Sequence, residues 1–249
     1  MDVVIDGAFQ KHVVIRGDRA NGLIIRNLSV WHGFEHGVYV LDTSGFLIDD
    51  VKSFFSQEYP FLFFANDHGL IRDCEAVGAG DGGIYPGGVA DRPGGLGRPA
   101  MEISHCSSHH NVLGYSGTQG DNVYVHDSVF YDNAVGLVSD SETDHPNYPE
   151  NNLRLERNRI YDNNFDVYSA SADVAPVEFD EAGQGFNGVA LPVGVGVFLA
   201  SGNDNLIRNN SFWGNERFAV WLASGRSDRR THERSGRASV LIQRQSLSR

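Results

Sequence analysis

Lysine is almost absent from this 249-residue sequence: Lys11 and Lys52 are the only two. Cysteine is as scarce, and two cysteines, Cys74 and Cys106, cannot build a disulfide framework. No run of about 18 apolar residues occurs, so no membrane span is expected. Helix-type periodicity is missing, whereas glycine reaches 29 residues; many turns and short strands are what that leaves. Met1–Ile5 shows no charged leader and no cleavage site, so no signal peptide is expected in this chain.

Positive charge is also short. The formal net charge is -12. Between Gly225 and Arg249 stand seven Arg against Asp228 and Glu233, a local balance of +5, so the body before it carries about -17. A body that acidic repels nucleic acid, itself a polyanion. The same repulsion faces acidic polysaccharides unless a cation or a basic patch bridges them.

What the sequence has is one phrase, repeated. Ile207-Arg208-Asn209-Asn210-Ser211-Phe212-Trp213-Gly214-Asn215 recurs at Leu155–Asn163 and Val125–Asn133, with further copies starting at Ile25, Ile48, Ile71 and Ile103. The first ladder is Ile25, Ile48, Ile71, Ile103, Val125, Leu155 and Ile207. A second is Leu28, Val51, Cys74, Cys106, Ser128, Asn158 and Asn210, and a third is Val30, Ser53, Ala76, Ser108, Phe130, Ile160 and Phe212. Each copy closes on another strand, such as Val38–Val40 or Val220–Leu222. Three short alternating strands per coil of about 22–23 residues predict a solenoid of parallel sheets. The expected fold is an all-β, single-stranded parallel β-helix over residues 1–224, its N-terminal cap missing, followed by a basic, disordered tail over 225–249. Open solenoid ends expose apolar edges, so association through the ends is an expected mode of oligomerisation.

Asn27, Asp50, Asp73, His105, Asp127, Arg157 and Asn209 fall at one corner, where left-handed backbone angles favour Asn and Asp; this column reads as turn chemistry. Asn at such corners can bond to its neighbours above and below. Cys74 and Cys106 sit on successive coils, close enough for a disulfide and equally at home as two small buried side chains.

Departures from the repeat mark the function. Insertions run from Pro86 to Pro99, from Ser139 to Asn151, and from Ala170 to about Pro192. All three are expected to leave after the same strand and to wall one side, which in a solenoid is often the binding face. Outward positions of the closing strand are read as Tyr39, Phe63, Tyr85, Gly114, Gly136, Asp166, Phe198 and Trp221: aromatics around a floor of two glycines.

The Asn-Asn-x-Ile-x-x-Asn phrase, with Gly-Ile/Val strands between copies, resembles the right-handed parallel β-helix repeat of pectate-lyase-like proteins. The resemblance covers residues from about 20 to 224. That superfamily includes polysaccharide lyases, hydrolases, alginate epimerases and sugar-binding modules. The segments Asp81–Gly87, Ser108–Asn111, Gly114–Asp121 and Ser139–Ser141 with His145-Pro146 are similar to an uncharacterised bacterial subgroup. The alginate-epimerase Asp-Pro-His signature is absent, and neither the Ca-binding Asp set nor the catalytic Arg motif of pectate lyases is matched.

Candidate catalytic residues are His109, Asp140, His145 and Asp166. Candidate substrate-binding residues are Tyr85, Arg92, Arg98, Tyr115, Tyr168 and Trp221. A lyase needs a base, an acid and a cation for enolate-like charge; His, Tyr and the two loop arginines supply those types. A hydrolase needs two carboxylates flanking the bond, which Asp140 with Asp166, Glu142 or Asp144 can provide. The oxygen-rich second insertion suits Ca²⁺, although no defined Ca loop is present, and one of His109 or His110, with His145, suits zinc. The expected function is action on a polysaccharide, by elimination or hydrolysis, in a secreted or cell-surface protein. The alternative is a non-catalytic carbohydrate-binding or adhesion β-helix.

Overall fold

A computed structural model of the chain describes residues 3–89, 98–142, 145–167, 191–223 and 240–247. Among these, every regular element is a strand, and the strands form two parallel sheets of 15 and 8. The chain winds as a right-handed parallel β-helix. Each coil runs through a first and a second strand of the long sheet and then a strand of the closing sheet.

The three ladders expected from the sequence are the register of the long sheet. Ile25, Ile48, Ile71, Ile103, Val125, Leu155 and Ile207 are Cα partners in succession. All seven lie within the apolar core, at 8% exposure or less. The corner between first and second strands takes positive φ at each residue of the predicted column, from Asn27 (55°) to Arg157 (55°) and Asn209 (58°). One residue further on, Asn158 and Asn210 turn inward: Asn210 Oδ1 accepts from Asn158 N at 2.9 Å, and Asn158 Nδ2 donates to Val125 O at 3.0 Å. A second ladder, Asn111, Asn133, Asn163 and Asn215, lines the next corner in the same way. Asn succeeds here because one amide meets the strand above and the strand below, leaving no buried backbone group orphaned.

Cys74 and Cys106 are both buried and free. Each thiol faces a backbone carbonyl, Arg72 O at 3.1 Å and Ser104 O at 3.3 Å.

Part of the tail departs from expectation. Val240–Gln243 pairs with the Asn205–Arg208 strand, and Ser246–Leu247 pairs with Ser211–Trp213. Gln245 takes the next rung of the amide ladder, accepting from Asn210 N at 2.9 Å and donating to Ile207 O at 2.9 Å. Its longer side chain makes the same two bonds as Asn, which is why the repeat escaped notice there. The terminal coils leave apolar side chains in the open: Val3, Val4 and Ile24 at one end, Leu222, Leu241 and Leu247 at the other.

The closing sheet stacks Val13–Asp18, His36–Leu41, Tyr59–Phe64, Gly82–Gly87, Leu113–Thr118, Val135–Asp140, Val195–Ala200 and Phe218–Ala223. The first two insertions begin where the chain leaves this sheet. The third begins before the chain enters it, between Val167 and Leu191, so only two of the three leave after the same strand. In chain order, insertions therefore occur at both ends of the closing strands.

Candidate functional site

Two columns of side chains on the outer face of the closing sheet frame the site. Register places Tyr39, Leu62 and Tyr85 in one column, then Val138, Phe198 and Trp221. Ser116 fills the gap beside Tyr85. The column nearer the strand ends holds Phe64 and Gly87, then Thr118 and Asp140.

Several expected floor positions lie elsewhere. Phe63 points into the core and is fully buried. Gly114 and Gly136 back onto the interior: a Cβ on Gly114 would stand 2.8 Å from Asn133 Nδ2 and 3.1 Å from Phe130 Cδ1. The strand bends at these glycines, so simple alternation misassigned their side. Leu113, just before the bend, faces outward into a second apolar cluster with Val112, Val135, Val167 and Val195.

Tyr59, Asp81, Tyr85, Thr118 and Asp140 form the chemically loaded part of the face. The Tyr59 and Tyr85 rings stack at 4.6 Å with planes 15° apart. The Tyr59 hydroxyl donates to the Asp81 carboxylate. Asp81 is only 3% exposed. Burial pushes its carboxyl up to about 7; the Tyr59 bond opposes this, and the Glu58 and Asp140 charges add to it. Tyr85 is 6% exposed, and burial raises its phenol, with Asp140 and Asp81 both contributing. Thr118 hydrogen-bonds with the Tyr85 phenol and with Asp140. Burial also raises the Asp140 carboxyl, while Thr118 and the His145 charge pull it back. Two carboxyls, both raised by burial, thus act on one tyrosine, and acids perturbed in this way cluster at functional sites.

The second insertion folds back over this row. His145 meets Phe64 edge-on at 5.7 Å and pairs with Glu142 at 3.2 Å. Asn147 Nδ2 donates to Gly88 O at 2.7 Å, and Pro146 leaves no room for a Cβ on Gly88, whose φ is +54°. The loop after the Val135–Asp140 strand therefore spans two coils and reaches the start of the first insertion.

Of the expected site residues, Asp140, His145 and Tyr85 come together. His109 does not: it lies on the long sheet, stacked on Tyr131 at 4.6 Å and bonded to Glu75 at 3.2 Å. Its Nδ1 sits 2.8 Å from that of His110, so the two rings meet instead of pointing apart, because His110 turns at positive φ. Burial lowers the His109 pKa. Tyr115 is fully buried and inward, so it cannot touch a substrate in the groove. Trp221 shares the column of Tyr85 but stands four strands away, about 19 Å at 4.8 Å per strand; it packs on Phe198 at 4.8 Å. Asp166 is exposed between Phe165 and Val167, which pack on the second apolar cluster. Arg98 is exposed, its carbonyl 3.5 Å from Asn122 Nδ2. Arg92, Tyr168 and Asp144 lie outside the described residues. No group of three or more His, Cys, Asp or Glu converges for a metal among the described residues, so the expected zinc cluster does not form there. Asp81, Tyr59 and Thr118 were missed as site residues. Asp81 stood in the Asp-Gly-Gly segment, but nothing in its spacing separates a buried acid from an ordinary turn residue.

These features belong to a known class. Residues 12–228 match the model of the family described as "Right handed beta helix region", and the chain belongs to that family. Among solved structures it is similar to the mannuronan C-5 epimerase AlgE4 A-module of Azotobacter vinelandii, with a TM-score of 0.60 and 12% identity over 91% of this chain and 54% of that one. It is also similar to an endo-xylogalacturonan hydrolase from Aspergillus tubingensis, with a TM-score of 0.58 and 13% identity over 98% of this chain and 67% of that one. The chain spans about half the length of the epimerase module. At such identities the likeness carries the fold alone. No curated protein sequence matches the chain.

Proposed function

We propose that the protein is a polysaccharide-acting hydrolase whose groove is the outer face of the closing sheet. The observation that carries this reading is the pair Asp81, buried, and Asp140, half-buried, two carboxyls with raised pKa values that both act on Tyr85. Both similar structures, a mannuronan epimerase and a xylogalacturonan hydrolase, act on polysaccharides, which supports the substrate class.

Roles follow from the environments. Asp81, held up to about 7, keeps a proton at neutral pH and donates it to the leaving glycosidic oxygen. Tyr59 then donates to the carboxylate left behind. At Asp140 the rise caused by burial is opposed by Thr118 and the His145 charge, and this residue takes the role of the partner that activates water or attacks the anomeric carbon. Tyr39 and Leu62 extend the floor from Tyr85 toward the N-terminal coils. Hydrolysis is favoured over elimination because elimination beside a carboxylate calls for a cation at the developing enolate. Among the described residues, the positive group acting on Asp140 is His145. A secreted or surface location goes with this substrate class.

The test is a panel of neutral and acidic glycans, scored together for reducing ends and for the absorbance of unsaturated products. Reducing ends without unsaturated product are expected. Asp81→Asn and Asp140→Asn are each expected to lower turnover by about 10²–10⁴ while glycan binding persists. Unsaturated products would show a lyase; binding without turnover by the wild type would show a carbohydrate-binding module.

A further inference from the structure

Glu150 is fully buried, and neither carboxylate oxygen has a hydrogen-bond partner at bonding geometry. It sits at the far end of the second insertion, inside the corner where the chain passes from the closing sheet to the long sheet. Its backbone is pinned: Glu150 N donates to Ser141 Oγ at 3.0 Å, and Asn203 N donates to Glu150 O at 3.0 Å. Its side chain points inward. A Cβ on Gly202 would run into both Glu150 Oε2 and Asn205 Nδ2, which fixes where the carboxylate lies.

The surroundings are oxygen-rich. Ser139 Oγ faces Glu150, yet its one proton is already given to Gly117 O at 2.7 Å, so toward the carboxylate it offers a lone pair. The Tyr115 hydroxyl is fully buried without a partner, and the Glu150 charge acts on it. Gln119 Oε1 and Ser201 Oγ, at the same corner of neighbouring coils, are also buried without partners. The amide Asn205 Nδ2 is the one donor facing the carboxylate. The other charges acting on Glu150 are Asp140 and Asp121, both negative. A buried, unpartnered carboxylate under the negative charges of Asp140 and Asp121, with hydroxyl lone pairs turned toward it, attracts positive charge and supplies oxygen to hold it.

We propose that this interior corner binds a hard, oxygen-seeking cation, with Ca²⁺ the best match, through Glu150 with Ser139 Oγ and Tyr115 Oη nearby. This site is distinct from the groove and does not depend on the hydrolase reading. Its consequence is mechanical. The cation ties Glu150, and with it the closing end of the insertion that carries His145, to the interior of the β-helix.

The rival is a proton: a neutral Glu150 filling the same corner. The two are separated by thermal unfolding of the full chain with added CaCl₂, with EGTA, and in the Glu150→Gln variant, together with metal content by mass spectrometry after gel filtration. Expected results are about one Ca²⁺ per chain, a midpoint that rises saturably with Ca²⁺ and falls with EGTA, and loss of both effects in Glu150→Gln. Gln is isosteric with protonated Glu, so it folds where a proton suffices. Unfolding of the wild type that is indifferent to Ca²⁺ and EGTA, with Glu150→Gln at least as stable, would overturn the proposal. So would an equal Ca²⁺ response in wild type and variant. Should Glu150→Gln fail to fold, Ser139→Ala serves: it keeps the carboxylate, removes one lone-pair donor, and is expected to weaken the Ca²⁺ midpoint several-fold. An unchanged midpoint there would count against the site.

Discussion

Asp81 binds its proton more tightly folded than unfolded, because the folded chain removes water from its carboxyl and supplies only a tyrosine hydroxyl in return. Its pKa is about 7 against an ordinary 3.8. A group raised in this way contributes stability that is complete below pH 3.8 and lost as pH climbs through 7. Three units correspond to roughly 4 kcal/mol. Asp81→Asn removes this titration. Urea unfolding of the two proteins at pH 4.5 and pH 8 is therefore expected to show the variant gaining on the wild type by about 3 kcal/mol at the higher pH. A constant difference across that range would mean that Asp81 is not held neutral. Glu150 and Asp140 are raised in the same direction, so the wild-type slope is steeper than Asp81 alone gives, and the comparison between variants isolates one residue. The site was legible in its types and not in its pairing. Asp140, Tyr85 and His145 stood at predicted outward or inserted positions. His109 was misplaced although its neighbour Ser108 stands in the third ladder: that ladder belongs to the long sheet, and His109 lies on its outer face, away from the closing sheet.

Elements explain why the repeat tolerates so few changes. Inward positions must stack on equivalent positions about 4.8 Å away, so residue type repeats at fixed intervals and the ladders can be read without a structure. The glycines of the closing strand are different. At Gly114 the strand bends against the next coil, and a Cβ would stand 2.5 Å from Gly136 O. Real Cβ atoms do not approach backbone oxygen so closely, and here a shift would break the parallel pairing. Gly114→Ala is expected to destabilise the fold by about 1–3 kcal/mol or more, seen as a lower urea midpoint with unchanged spectra of the residual native state. Asn133→Ala attacks the same corner chemically. It leaves Asn111 N without its 3.0 Å acceptor and Ser108 O without its 3.1 Å donor, costing about 1–3 kcal/mol for each buried group left unpaired. The alternation rule counted the bend at Gly114 as an outward position, since a period of two carries no sign of an interruption. The third insertion was misjudged because Asp166 was read as a closing-strand position ahead of it, whereas the strand that follows Val135–Asp140 in the closing sheet is Val195–Ala200, after the insertion.

At the scale of the molecule, charge selects among substrates. The whole chain carries -12, and among the described residues no lysine or arginine acts on Asp140 or Asp81. Bringing a polyuronate to this face adds like charge to like charge, and the Debye length of about 10 Å at 0.1 M salt sets how far that repulsion reaches. A neutral glycan meets none of it. KM for a neutral glycan is therefore expected to stay constant between about 0.02 and 0.5 M NaCl, whereas KM for an acidic glycan falls as salt rises, because screening relieves repulsion. The opposite trend, with acidic glycans bound more weakly at high salt, would require a basic patch on the groove. Arg92, in the first insertion, is the residue to substitute in that event. If Arg92→Ala then abolished the salt effect while Asp81→Asn left it in place, the groove would be one that pairs an inserted arginine with the substrate's carboxylates, and elimination would replace hydrolysis as the favoured reaction.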